Sequence, residues 1–128
     1  MEAKSATEMV QQAKQQIDNL TPEQVQQELQ NGSATLIDIR EGNELKESGR
    51  IAGSVHAPRG MLEFYADSGL PYHKPELSKD RRLILHCASG GRSALATATL
   101  KQMGFENVAH LEGGMKAWKE AGLPSEDA

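Results

Sequence analysis

A small α/β domain, with a doubly wound, mostly parallel sheet flanked by helices, is the fold class this sequence predicts, and three observations predict it. Four short apolar runs, "ATLIDI", "SVHA", "LILHC" and "NVAHL", are near-continuously apolar rather than alternating, as strands covered by helices on both faces must be. Helical or turn segments separate them at Glu41 to Glu47, Met61 to Ala66, Ser93 to Met103 and Met115 to Ala121, and the last two close on Gly104 and Gly122. A chain of 128 residues is long enough for one hydrophobic core and too short for two ordinary domains.

From the N-terminus, Met9, Val10, Ala13, Ile17 and Leu20 recur at helical spacing, which predicts an amphipathic helical extension over residues 1–20. The domain proper is expected over 21–128. It opens with "LTPEQVQQELQNG", in which Thr21 reads as an N-cap, Pro22 as the first helical residue and Gly32 as the terminator, with Val25 and Leu29 facing the core. The four strands and their helices follow. In such sheets the loops beyond the carboxyl ends of the strands form the site, and Asp38 to Arg40, His56 to Arg59 and Cys87 to Arg92 are all expected there.

A formal net charge of −4 argues against nucleic acid or an anionic membrane as the main partner, since both need a basic surface. No apolar run reaches the length of a membrane span, and the opening residues lack the apolar centre of a secretory signal. One cysteine cannot close an internal disulfide, so a reducing cytoplasm is the expected location.

That cysteine, Cys87, ends the apolar run "LILH" and is followed by Ala88, Ser89, Gly90 and Gly91 before Arg92 and Ser93 open a helix. Small residues and two glycines let successive backbone N–H groups turn inward as an anion-binding nest at a helix start. The nest dipoles and the Arg92 guanidinium would favour the thiolate, making Cys87 a nucleophile. A buried, inert cysteine beside an ordinary turn is the plainer reading, and the coincidence of glycines, arginine and helix start weighs against it.

At these residues the sequence resembles the rhodanese family of single-domain sulfurtransferases. "LIDIRE" is similar to the family's first strand, "GRIAGSVHAPRG" to its Gly-x-Ile-x-Gly-Ser segment, "CASGGRS" to its active-site loop, and "MGFENVAHLEGGMKAWKEAGLP" to its closing strand and helix. The resemblance implies that Cys87 takes a sulfane sulfur from a small anionic donor such as thiosulfate and passes it, as a persulfide, to a thiol or cyanide acceptor. A persulfide carrier or docking module within a protein sulfur relay is the alternative. A phosphatase or arsenate reductase of the same fold is a third. Phosphatases of this type place five residues between cysteine and arginine where this chain has four, which favours sulfur.

The neighbouring residues divide into candidates and bystanders. Arg92 is the expected contact for the donor anion, because its planar fork suits oxyanions. Ser93 either hydrogen-bonds the thiolate or opens the helix. Asp38 and Arg40 share a strand face and either shape the active-site edge, as the resemblance implies, or form a structural ion pair. Arg59 either pairs with Glu63 four residues on or, by the same resemblance, faces the loop as an outer anion contact. His86 should point away from Cys87, His73 could border the pocket from its loop, and Trp118 reads as packing. The four histidines lack metal-ligand spacing, so neither a metal nor a cofactor is expected.

Overall fold

Two capping boxes set where the first helices begin in the computed structural model, which describes residues 3–128. At the start of α1 (Ala6–Lys14) the Glu8 amide donates to the Ser5 hydroxyl and the Ser5 amide to the Glu8 carboxylate. Thr21 and Gln24 exchange the same pair of bonds before α2 (Pro22–Gln30), whose first residue is a proline. Each box satisfies two of the amides that a helix start leaves open.

The helical spacing between Met9 and Leu20 overreaches. The helix ends at Lys14, and Asp18–Leu20 forms a strand, β1. The Asn19 side-chain amide donates to the carbonyls of Lys14 and Ile17, at 2.9 and 3.2 Å, which satisfies the helix end and turns the chain out of it. Leu20 then fits strand spacing as well as it fitted the helix, and pairing with the edge of the sheet decides between them. The helical extension expected over residues 1–20 is therefore, over its described part, a nine-residue helix and an edge strand.

The remaining strands are β2 (Thr35–Asp38), β3 (Val55–His56), β4 (Leu83–His86) and β5 (Val108–Leu111), in the order β1-β5-β4-β2-β3. Every pairing is parallel. On one face a 3₁₀ turn (Arg59–Met61), α4 (Leu62–Ala66) and α5 (Gly91–Gln102) lay Leu62, Ala66, Ala96 and Leu100 on Ile37, Leu83, Leu85 and Val108. On the other, α2 and α6 (Gly114–Glu120) place Val25, Met115 and Trp118 against Leu36, Ile84, Ala109 and Leu111. Helix α1 lies outside α5, joined to it by Ala13, Ile17 and Ala94. Helix α3 (Gly42–Ser48) runs beside α6, where the Lys119 ammonium donates to the Ser48 carbonyl.

This is the expected doubly wound sheet. From β2 the chain winds outward to β3, whereas from β4 it winds the opposite way to β5, so the direction changes between the carboxyl ends of β2 and β4. Open α/β sheets form their crevice at such a point, and the loop that follows β4 is the one carrying Cys87. Among the described residues no helix is long and apolar enough to cross a membrane.

Candidate active site

Strand β4 delivers Cys87 to the floor of its loop, and the loop folds back over the sulfur. Cys87 is 1% exposed. The amides of Gly90 and Ser93 donate to its Sγ at 3.2 and 3.4 Å, and the thiol lies 3.5 Å from the Ser93 hydroxyl. Gly90 makes the turn at φ +104°, a conformation that disfavours any side chain, and α5 starts at the next residue. Two convergent amides at the start of a twelve-residue helix form a cradle for negative charge on sulfur.

A second glycine pair presses on the loop from behind. A methyl group on Gly114 would come within 2.5 Å of the Cys87 carbonyl oxygen and 2.7 Å of the Ala88 carbonyl. That closeness lets the amides of Met115 and Lys116 donate to those two carbonyls, at 2.9 and 3.0 Å. The start of α6 thus holds the backbone of the cysteine loop rather than a ligand.

Arg92 does not point into the cradle. Its guanidinium donates twice to the Glu44 carboxylate on α3, at 2.8 and 2.9 Å. The paired hydrogen bonds from Arg92 hold the Glu44 carboxyl down at about 2, and the same pair pushes the guanidinium further up. Glu44 also accepts from the Glu41 amide as part of the capping box of α3. Beside this ion pair lies a cleft of about 280 Å³ whose lining includes Ala88, Glu44, Met115, Lys116 and Lys119.

Asp38 and Arg40 form a buried ion pair, and Arg40 also lines this cleft. Arg40 donates to both Asp38 carboxylate oxygens, at 3.0 and 2.8 Å, and to the Gly49 carbonyl beyond α3. Burial alone would push the Asp38 carboxyl up, but His86 and Arg40 outweigh it and hold it well below the carboxylate range. His86 lies on that side of the sheet, its Nε2 3.4 Å from Asp38, so it points away from Cys87 as strand alternation requires. His56 meets the Arg40 carbonyl through Nε2 at 2.6 Å.

Two further expectations need correction. Arg59 does not face the loop: it pairs with Glu63 at 2.8 Å, one helical turn on, and borders a cleft between α1 and α5. His73 does not border the pocket either, since its ring nitrogen meets the Tyr65 carbonyl at 3.0 Å and it lines a separate cleft with Ser78 and Phe105. Trp118 is packing, 2% exposed, with its indole N–H donating to the Pro124 carbonyl.

The residue that sequence reasoning passed over is His110. It is fully buried in β5, with Nδ1 3.0 Å from the Ser93 hydroxyl and Nε2 2.8 Å from Asn19 Oδ1 and 3.1 Å from the Glu112 carboxylate. Lys14 on α1 closes the row by pairing with Glu112. Burial pushes the His110 ring below the ordinary imidazole value, only partly offset by Glu112. Burial would raise the Glu112 carboxyl, but the Lys14 and His110 contacts more than reverse it.

Residues 21–121 match the model of the rhodanese-like domain. The chain is 36% identical over 89 residues to a sulfurtransferase of Allochromatium vinosum, an alignment covering 70% of this chain and 75% of that protein. Among solved structures it is similar to a Rhodopseudomonas palustris protein of unknown function, described as a possible tyrosine phosphatase: 38% identity, 98% and 97% of the two chains covered, TM-score 0.92. It is also similar to the homodimeric polysulfide-sulfur transferase of Wolinella succinogenes, with 36% identity, 93% and 85% coverage and a TM-score of 0.74. The chain spans 54% of the length of one further curated relative and 25% of another.

Proposed function

The chain belongs to the rhodanese-like domain family, whose members among its relatives include sulfurtransferases, and on that premise we propose that it moves sulfane sulfur through a persulfide on Cys87. The observation that carries the reading is the pair of amides aimed at Sγ from Gly90 and Ser93. The Cys87 thiolate attacks the outer sulfur of thiosulfate, the sulfur–sulfur bond of the donor breaks, and sulfite departs with the bonding pair. Cyanide or a thiol, from a small molecule or a sulfur-relay protein, then attacks the outer sulfur of the persulfide and the Cys87 thiolate leaves. Throughout, the negative charge stays within reach of the Gly90 and Ser93 amides, while Ala88, Ser89 and Gly91 shape the loop around it.

Arg92 fits this cycle as the entry contact for the donor anion, exchanging one carboxylate oxygen of Glu44 for one oxygen of the donor. The likeness to a polysulfide-sulfur transferase supports polysulfide as a second donor. Phosphate-ester hydrolysis is disfavoured. Four residues separate Cys87 from Arg92 where phosphatases of this type place five, and the shorter loop suits a sulfane sulfur better than a phosphoryl group.

The test is intact mass after incubation with thiosulfate and removal of the excess. A gain of one sulfur atom on Cys87, reversed by cyanide, is expected. Turnover without any adduct would overturn the covalent route, and an adduct formed from a sulfur-donor protein but never from thiosulfate or polysulfide would replace the enzyme by a carrier.

A further inference from the structure

The row of contacts behind Cys87 has a direction, and Asn19 sets it. Its amide nitrogen donates to two backbone carbonyls, of Lys14 and Ile17, so its oxygen is the atom that meets His110. An oxygen there, together with the Glu112 carboxylate on the same nitrogen, requires Nε2 of His110 to carry a proton. In the neutral ring Nδ1 is then bare and must accept. The Ser93 hydroxyl has one proton, and Nδ1 at 3.0 Å is a nearer acceptor than the Gly90 carbonyl at 3.3 Å. With that proton committed to His110, the Ser93 oxygen turns its lone pairs to the Cys87 thiol 3.5 Å away.

We propose that His110 is a positioning residue for the sulfur chemistry, acting through Ser93 to take up the proton that Cys87 must lose. When the S–H bond breaks, its proton passes to Ser93 Oγ while the Ser93 hydroxyl proton passes to His110 Nδ1, and the electron pair stays on sulfur. The product is a thiolate facing the Gly90 and Ser93 amides, and an imidazolium facing the Glu112 carboxylate. Burial keeps the ring neutral at rest, with Nδ1 open to accept, and its charged form arises only together with the Cys87 thiolate and against the Glu112 carboxylate, which offset the cost of burial. The charged groups that face this ring come from three elements: Cys87 after β4, Glu112 after β5, and Lys14 on α1. The relay works only because β1 brings Asn19 alongside His110, so the N-terminal strand is part of the site.

This inference rests on the reading of Cys87 as the sulfur carrier, and its test needs no sulfur donor. As the sole cysteine, Cys87 can be followed by intact mass as it reacts with methyl methanethiosulfonate across a pH series. Ser93→Ala should react at least about 10-fold more slowly than wild type near pH 7 and match it near pH 10, where a thiol ionises without help. Ser93→Thr, which keeps the hydroxyl, should stay within about 3-fold of wild type near pH 7. A loss by the same factor at both pH values would mark a structural role and overturn the relay, as would no loss at either. In the unmodified protein, nitrogen-15 spectra of the His110 ring should show Nε2 protonated and Nδ1 bare, and the reverse tautomer would also overturn it. If the reactivity pattern holds while thiosulfate leaves no adduct, the relay stands and the sulfur-transfer reading is the one that fails.

Discussion

Replacing Glu44 by glutamine should make an anionic sulfur donor bind more tightly, because Arg92 now spends its charge on Glu44. The size of the competition can be worked from the pair itself. A carboxyl held at about 2 instead of its ordinary 4.5, chiefly by Arg92 with smaller help from the Glu41 amide and Arg40, corresponds to an upper bound of roughly 3 kcal/mol in surroundings free of solvent. The two side chains are 28% and 40% exposed, so water and salt reduce this to about 1 kcal/mol. Freed of that cost, Arg92 should lower the KM for thiosulfate about 5-fold in a thiosulfate:cyanide assay, with kcat little changed. The substitution spares the fold, since glutamine can still accept the Glu41 amide bond that caps α3. The gain should shrink as ionic strength rises, and Arg92→Ala should move KM the other way. The pairing is complete above the ordinary carboxylate value and is lost as pH falls towards about 2, so the effect should be flat across neutral pH. A KM for Glu44→Gln that is unchanged or higher, with Arg92→Ala also neutral, would show that Arg92 takes no part in donor binding.

Cys87→Ser should abolish sulfur transfer and leave the urea midpoint close to wild type, because the hydroxyl fills nearly the same buried volume but forms no persulfide. Gly114→Ala should cost about 3 kcal/mol in urea unfolding and lower activity, since a left-handed residue is forced against the Cys87 and Ala88 carbonyls. Gly122→Ala, equally left-handed but facing open space, should cost only about 1 kcal/mol, and equal losses at the two sites would refute the close-approach argument. Because His110 is held below its ordinary 6.5, the unfolded chain binds a proton there that the folded one refuses; stability should be complete above about pH 6.5 and fall as the solution is acidified through the window beneath it. Urea midpoints from about pH 7 to about pH 5 should show this decline, and His110→Gln should lose it.

Strands β2 to β5, their order along the chain and a helix beginning near Arg92 were legible because each rests on local chemistry: continuous apolar runs, glycines and a capping residue. What the sequence hid depends on neighbours it does not name. Arg92 looks like an anion contact along the chain, and only the fold brings Glu44, 48 residues away, against it. The Arg59 and Glu63 spacing offers the correct pairing, and the competing placement of Arg59 at the loop came only from the family resemblance. Leu20 satisfies both a helical and a strand pattern, so the edge strand was invisible until β5 was seen to lie beside it.

That one ambiguity hid the histidine network as well. In β5, Ala109 and Leu111 face the α2 and α6 side, which leaves His110 on the same side as Val108 and α5. Parallel register sets it beside Leu85, two residues before Cys87, and within reach of Ser93. A histidine fully buried there with neutral surroundings would be a liability to the core. Asn19, Glu112 and Lys14 remove that liability, and two of the three come from the first twenty residues. Placed in an outlying helix, those residues would leave His110 without Asn19, which is why its role is not legible along the chain. Once Asn19 is in place, the polar row from the α1 surface to the thiol forms one hydrogen-bonded path, and the N-terminal segment acquires a chemical reason to be packed where it is.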